Sequence, residues 1–146
     1  MNTQNNRVVT ELKNTDSETE LKNIAAANFA RWNEFLQCGN PKQVADLYTD
    51  DATFLPTVSG DFKKGKHGAE EYFRHFVAKT PKGEITESVI QKIDDRCYLH
   101  SGKYNFQVGP QDDRKILHAR FTFLWQLNME GIWQIAHHHS SLNPEK

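Results

Sequence analysis

Cysteine is scarce in this 146-residue chain. Cys38 and Cys97 are the only two, far apart and without zinc-ligand spacing. A disulfide framework and a structural zinc module are therefore excluded, and both are expected as free thiols in a reducing, cytoplasmic setting. Long apolar runs are missing too. Nothing approaches the ~20 residues that span a bilayer, and the opening MNTQNNRVVTELKNTDSETE has no apolar segment of the secretory kind. No membrane partner is expected. Charge of one sign is not in excess: 18 Lys and Arg stand against 19 Asp and Glu, a net charge of −1. Steering toward nucleic acid has no electrostatic basis. Repeats and low-complexity linkers are absent, which leaves one domain.

What is present is a change of period along the chain. Residues 1–17 are polar, without periodicity, and read as a flexible arm; residues 18–146 read as the domain. Ser17 or Thr19 can cap a helix that carries Leu21, Ile24, Ala25, Asn28, Phe29, Trp32, Phe35 and Leu36 at helical spacing, with Gly39 as its stop. Asn40 caps a second, short helix with Pro41 in its first turn and Val44, Leu47 and Tyr48 inward. YTDDATFLP is a polar turn running into a short strand that ends at Pro56. A third helix is predicted from about Gly68 to Lys79, with Ala69, Tyr72, Phe73, Phe76 and Val77 on one face. Beyond it the period falls to two, predicting strands over 85–93, 97–108, 114–127 and 131–141. Helices first and an antiparallel meander last is an α+β pattern.

The third long strand separates cleanly. Leu117, Ala119, Phe121, Phe123, Trp125 and Leu127 make an apolar face; Ile116, His118, Arg120, Thr122, Leu124 and Gln126 make a mixed one. In the last strand, strict alternation puts Trp133, Ile135, His137 and His139 on one side. Ile132, Gln134, Ala136, His138 and Ser140 fall on the other. A sheet with apolar content on both sides needs cover on both. Helices cover one; a second copy of the chain is expected on the other, giving a homodimer or larger assembly.

The succession LYTDDATFLP, GKHGAEEYFRHF and a four-stranded meander resembles the nuclear transport factor 2-like superfamily, with its SnoaL-like proteins, ketosteroid isomerase and scytalone dehydratase. The ending HARFTFLWQLNMEGIWQIAHHHSSLNP resembles, more narrowly, the association domain of calcium/calmodulin-dependent protein kinase II and its stand-alone bacterial relatives. The likeness lies in Gly131, Trp133, Ile135, His137, His139, Ser140, Ser141 and Pro144. The resemblance implies a cone: a strongly curved antiparallel sheet wrapped around about three helices, with a pocket at the mouth and assembly through the sheet. It does not imply kinase activity, since the glycine-rich loop, the His-Arg-Asp of a catalytic loop and Asp-Phe-Gly are all missing from this sequence. The family's basic residue after the second histidine is Ser140 here, so its carboxylate ligands do not carry over on that residue. The isomerase mechanism does not transfer either, because Phe54, Leu55 and Pro56 stand where its catalytic aspartate would follow the turn.

The candidates for chemistry are few. His137 and His139 share a strand face and make an i, i+2 pair that can hold a metal if a further ligand, such as His118 or His100, comes near. The alternative is packed, hydrogen-bonded histidines at an interface. Arg120 and His118 share a face and can form an anion patch, or Arg120 can pair with Asp50, Asp51 or Glu87. Adjacent Asp50 and Asp51 point apart and read as turn formers. The implied pocket is expected to draw on Arg120, His118, His138, Tyr48, Trp32, Tyr104 and Phe123. The chain is thus expected to be a self-assembling module that binds a small organic, carboxylate-like ligand and has no cofactor. The alternative is a small cofactor-independent enzyme of the SnoaL, isomerase or dehydratase kind.

Overall fold

A computed structural model describes residues 3–145, with side chains from Ser17 onward. The elements in chain order are α1 (Thr3–Cys38), α2 (Pro41–Ala45), β1 (Tyr48–Leu55), β2 (Lys63–Lys64) and α3 (Gly65–Phe76). They continue with a 3-10 turn (Val77–Lys79), β3 (Lys82–Asp94), β4 (Cys97–Val108), β5 (Lys115–Leu127) and β6 (Trp133–Leu142). The predicted α+β class holds, as do the four long strands to within a few residues.

The start of α1 does not match. Ser17 and Thr19 lie inside the helix rather than at its cap. No glycine or proline occurs before Gly39, so nothing in the covalent chain stops helical backbone from extending toward the N-terminus. Met1 and Asn2 of the expected arm lie outside the described residues. The other cap is as predicted: Asn40 Oδ1 accepts from the backbone N–H groups of Lys42 (3.0 Å) and Gln43 (3.3 Å). No described helix is long and apolar enough to cross a membrane.

The six strands form one curved sheet in the order β2-β1-β6-β5-β4-β3. β3 to β6 are an antiparallel meander, whereas β1 runs parallel to β6 and pairs Thr53 with His137 and Phe54 with His138. The three helices pack on one face. Trp32 and Leu36 of α1, Val44 of α2 and Phe73 and Phe76 of α3 join Phe54, Tyr104, Phe106, Phe121, Phe123, Trp125 and Ile135 of the strands in one core. The apolar face predicted for β5 is the buried one.

Gly102 marks the tightest backbone approach. A Cβ there would stand 2.0 Å from the Glu87 carbonyl oxygen, where β3 bulges between Ile85 and Glu87. Gly102→Ala is expected to cost about 2 kcal/mol because β3 must move away; a denaturation midpoint equal to the wild type's would contradict this.

Candidate functional site

The triplet His137, His138, His139 is divided by a bulge rather than by simple alternation. In the β5–β6 ladder Trp125 faces Ile135, but Leu124 faces His137, which leaves Ala136 without a partner. The extra residue shifts the strand's phase. Ile135 points inward before it, and His138 and Ser140 point inward after it. The expectation that His138 lies opposite Ile135 is therefore corrected: both are interior, and His137 and His139 take the outer face.

His138 is 1% exposed. Its ring stacks on Phe123 at 4.0 Å and on Phe54 at 4.9 Å, and Trp32 meets its edge at 5.6 Å. Its Nδ1 lies 2.8 Å from the Tyr48 hydroxyl and its Nε2 3.2 Å from the Tyr104 hydroxyl. Proton counting orders the network. Trp32 Nε1, donor only, gives to the Tyr48 oxygen at 3.2 Å, so the Tyr48 O–H donates to Nδ1. Nε2 then carries the proton toward Tyr104, whose own hydroxyl donates to Ser140 Oγ at 2.5 Å. Ser140 passes the chain to Thr57 Oγ1. Between its two ends, Trp32 and Thr57, each group fills one donor and one acceptor role, which is how a polar chain survives in a core. Burial holds His138 well below the usual histidine range, with smaller pushes from His137 and His139, and it raises Tyr48 and Tyr104 well above the usual tyrosine range. The imidazole is neutral here.

Five of the seven predicted pocket residues, Trp32, Tyr48, Tyr104, Phe123 and His138, thus meet in the interior, each at most 1% exposed. His118 and Arg120 do not join them. They lie on the opposite face of the sheet, where His118 Nδ1 is 2.8 Å from Asn105 Oδ1 and Arg120 donates to Ser141 Oγ at 3.3 Å. The ion pairs foreseen for Arg120 with Asp50, Asp51 or Glu87 do not form among the described residues. No group of three or more His, Cys, Asp or Glu among them is placed to hold a metal. His100 is on the buried face, bonded through Nε2 to Ser88 Oγ at 3.0 Å, and burial lowers it to about 4.

Sequence reasoning missed Thr57 and Ser140 as network members; their only signal is a small hydroxyl, one in the turn after β1 and one on β6. It also missed Tyr72. The Tyr72 hydroxyl is buried beside Thr57 and Val58 without a well-formed hydrogen bond, and burial pushes it up to about 12. Tyr72 and Phe76 form the apolar wall of a cavity of about 400 Å³, whose rim carries Lys63, Arg74, His75 and Lys79 against Asp61 and Glu71. A larger groove of about 800 Å³ opens where α1 leaves β3, between Leu21 and Ile90, and touches none of the predicted site residues.

The outer face of the sheet has its own order. Two cross-strand rows contain no formal charge: Gln91, Leu99, Leu124, His137 and Thr53, and beside it Val89, Ser101, Thr122, His139 and Leu55. The next row is charged, with Glu87, Lys103 and Arg120 followed by Ser141. None of those three charges has an ion-pair partner among the described residues.

Comparison with known proteins gives this arrangement a family. The model for the calcium/calmodulin dependent protein kinase II association domain matches residues 20–144. A solved structure from Xanthomonas campestris, provisionally described as such a domain, is 38% identical; the match covers 84% of this chain and 87% of that one at a TM-score of 0.80. At the level of fold alone, a protein from Novosphingobium aromaticivorans provisionally described as a scytalone dehydratase superposes with a TM-score of 0.75 at 10% identity, covering 89% of each chain. An NTF2-like protein with a cystatin-like fold from the same organism gives 0.70 at 10% identity, over 95% of this chain and 90% of that one. None of the curated proteins matches the chain. The α+β cone, the inward turn of the last strand and a match over nearly its whole length agree: this chain belongs to the calcium/calmodulin-dependent protein kinase II association domain family.

Proposed function

We propose that the chain is a self-assembling module that packs a second copy of itself against the outer face of its sheet. The uncharged double row centred on Leu124, Thr122, His137 and His139 carries this reading. A broad, charge-free band on a sheet face is the composition of an interface core. The adjoining row offers Glu87 to answer Arg120 and Lys103 across a two-fold axis, which a single copy leaves unpaired. In the same reading, the cavity at Tyr72 takes a small organic anion. Its volume is within the range of ligand pockets, and Lys79 on its rim has no ion-pair partner among the described residues, whereas Lys63 is paired with Asp61 and Glu71 and Arg74 with Glu70. A catalytic reading gains less support, because His138 is neutral, fully hydrogen-bonded and closed between Phe54 and Phe123.

Light scattering on the eluting protein at micromolar concentration tests the assembly. Leu124→Arg places a charge in the centre of the band and is expected to raise the dimer dissociation constant at least about tenfold, with the fold retained. A wild-type monomer, or a Leu124→Arg protein that assembles as the wild type does, would overturn the proposal.

A further inference from the structure

His137 and His139 are the unused chemistry of this molecule. Both project from the outer face of β6, and β6 and β5 are the middle strands of the sheet. In a strand, residues two apart repeat every ~6.6 Å on one face, which lets two imidazoles converge on one ion. The His137 ring is already oriented. Its Nδ1 lies 2.7 Å from Thr53 Oγ1 on the neighbouring strand, which leaves Nε2 as the nitrogen open to a ligand. A metal-bound histidine characteristically has its other ring nitrogen fixed in this way. The His139 ring makes no hydrogen bond among the described residues, and it is exposed.

One chain supplies only two such ligands, and no third His, Cys, Asp or Glu among the described residues completes a set. The completion follows from symmetry, and this step rests on the self-assembly proposed above. In an isologous dimer the residues nearest the two-fold axis meet their own copies. The uncharged double row crosses five strands from β1 to β3, with its middle on β5 and the histidines one strand to the side; a two-fold axis lying in the interface and passing between His137 and His139 brings the two pairs face to face. We propose that the pairs from two subunits form one tetrahedral site for a divalent transition cation of the zinc class, with four imidazole nitrogens and no carboxylate. Imidazole suits zinc, copper and nickel and not magnesium or calcium. The site is incomplete in either subunit alone, so the metal acts as a clasp on the assembly and adds no ligand to the interior network of His138.

Zinc titrated into tag-free protein tests this, with calorimetry for stoichiometry and light scattering for assembly, each repeated in EDTA. One zinc per two chains is expected, with a dimer dissociation constant lowered at least about tenfold by saturating zinc. His139→Ala, which removes an exposed ring, should abolish both effects, read against the variant's own dimer dissociation constant in EDTA. His118→Ala, on the same face but away from the pair, should leave both effects in place. Absence of zinc binding in a protein that still dimerises in EDTA overturns the site and spares the self-assembly. Zinc that binds one per chain, or that binds His139→Ala as well as wild type, also overturns it. A monomer with and without zinc overturns both proposals.

Discussion

Replacing His138 by alanine should lower the free energy of unfolding by about 4 kcal/mol. The ring is 1% exposed and fills the space between Phe54 and Phe123. Its loss leaves a void that those rigid rings, also held by Trp32 and Phe73, cannot close. The void accounts for most of the effect. The rest comes from Tyr48, whose hydroxyl loses its acceptor at 2.8 Å, and from Tyr104, which loses the donor at Nε2. His138→Phe separates the two contributions. It restores the ring and the stacking and removes only the hydrogen bonds, so it should cost about 1–2 kcal/mol. Denaturant titration at fixed protein concentration measures both, because assembly couples stability to concentration. An alanine variant within 1 kcal/mol of wild type would mean that the interior network is not the keystone described above.

Acid should destabilise the folded chain beginning near pH 6.5, well before carboxylates titrate. Burial holds the folded-state pKa of His138 well below its usual value and brings that of His100 down to about 4. In the unfolded chain both take up a proton as the pH falls through about 6.5. The folded chain does not, so the unfolded state binds more protons and is favoured. The stabilisation is complete above pH 6.5 and declines as the pH drops toward the folded-state values. Each such histidine contributes a slope of about 1.4 kcal/mol per pH unit inside its window. For His138 alone this amounts to about 2 kcal/mol between pH 6.5 and 5. His138→Phe has no proton to take up at this position, so its deficit relative to wild type should shrink by that amount over the same interval. Parallel stability curves for the two proteins would refute the assignment.

The long strands were legible because one face of each is buried and the other is not, and a period of two records that directly. Residues 97–108 of β4 emerge with the bounds that their alternation predicts. The helix start was illegible for the opposite reason. Ser17 and Thr19 look like caps, but caps matter only where something ends the preceding turn, and no glycine or proline does so. The parallel pairing of β1 with β6 joins the first strand to the last, and no local pattern encodes it. The site was half legible. Trp32, Tyr48, Tyr104 and Phe123 were identifiable as large side chains at inward positions. His118 and Arg120 carry ligand-like chemistry, but the alternation of β5 places them outside. The inward turn of His138 depends on Ala136, a residue with no chemical signal at all.

That alanine gives the chain's last strand two reading frames in space. Upstream of it odd-numbered residues belong to the core; downstream even-numbered ones do. Were Ala136 paired in a regular ladder instead of bulged, plain alternation would exchange the histidines' roles, bringing two imidazoles into an aromatic slot shaped for one and sending the neutral one to the surface; deleting it would remove the bulge and leave His138 inward. The least reactive residue of the segment is thus the index against which the others are read, because it is the one residue that the ladder skips.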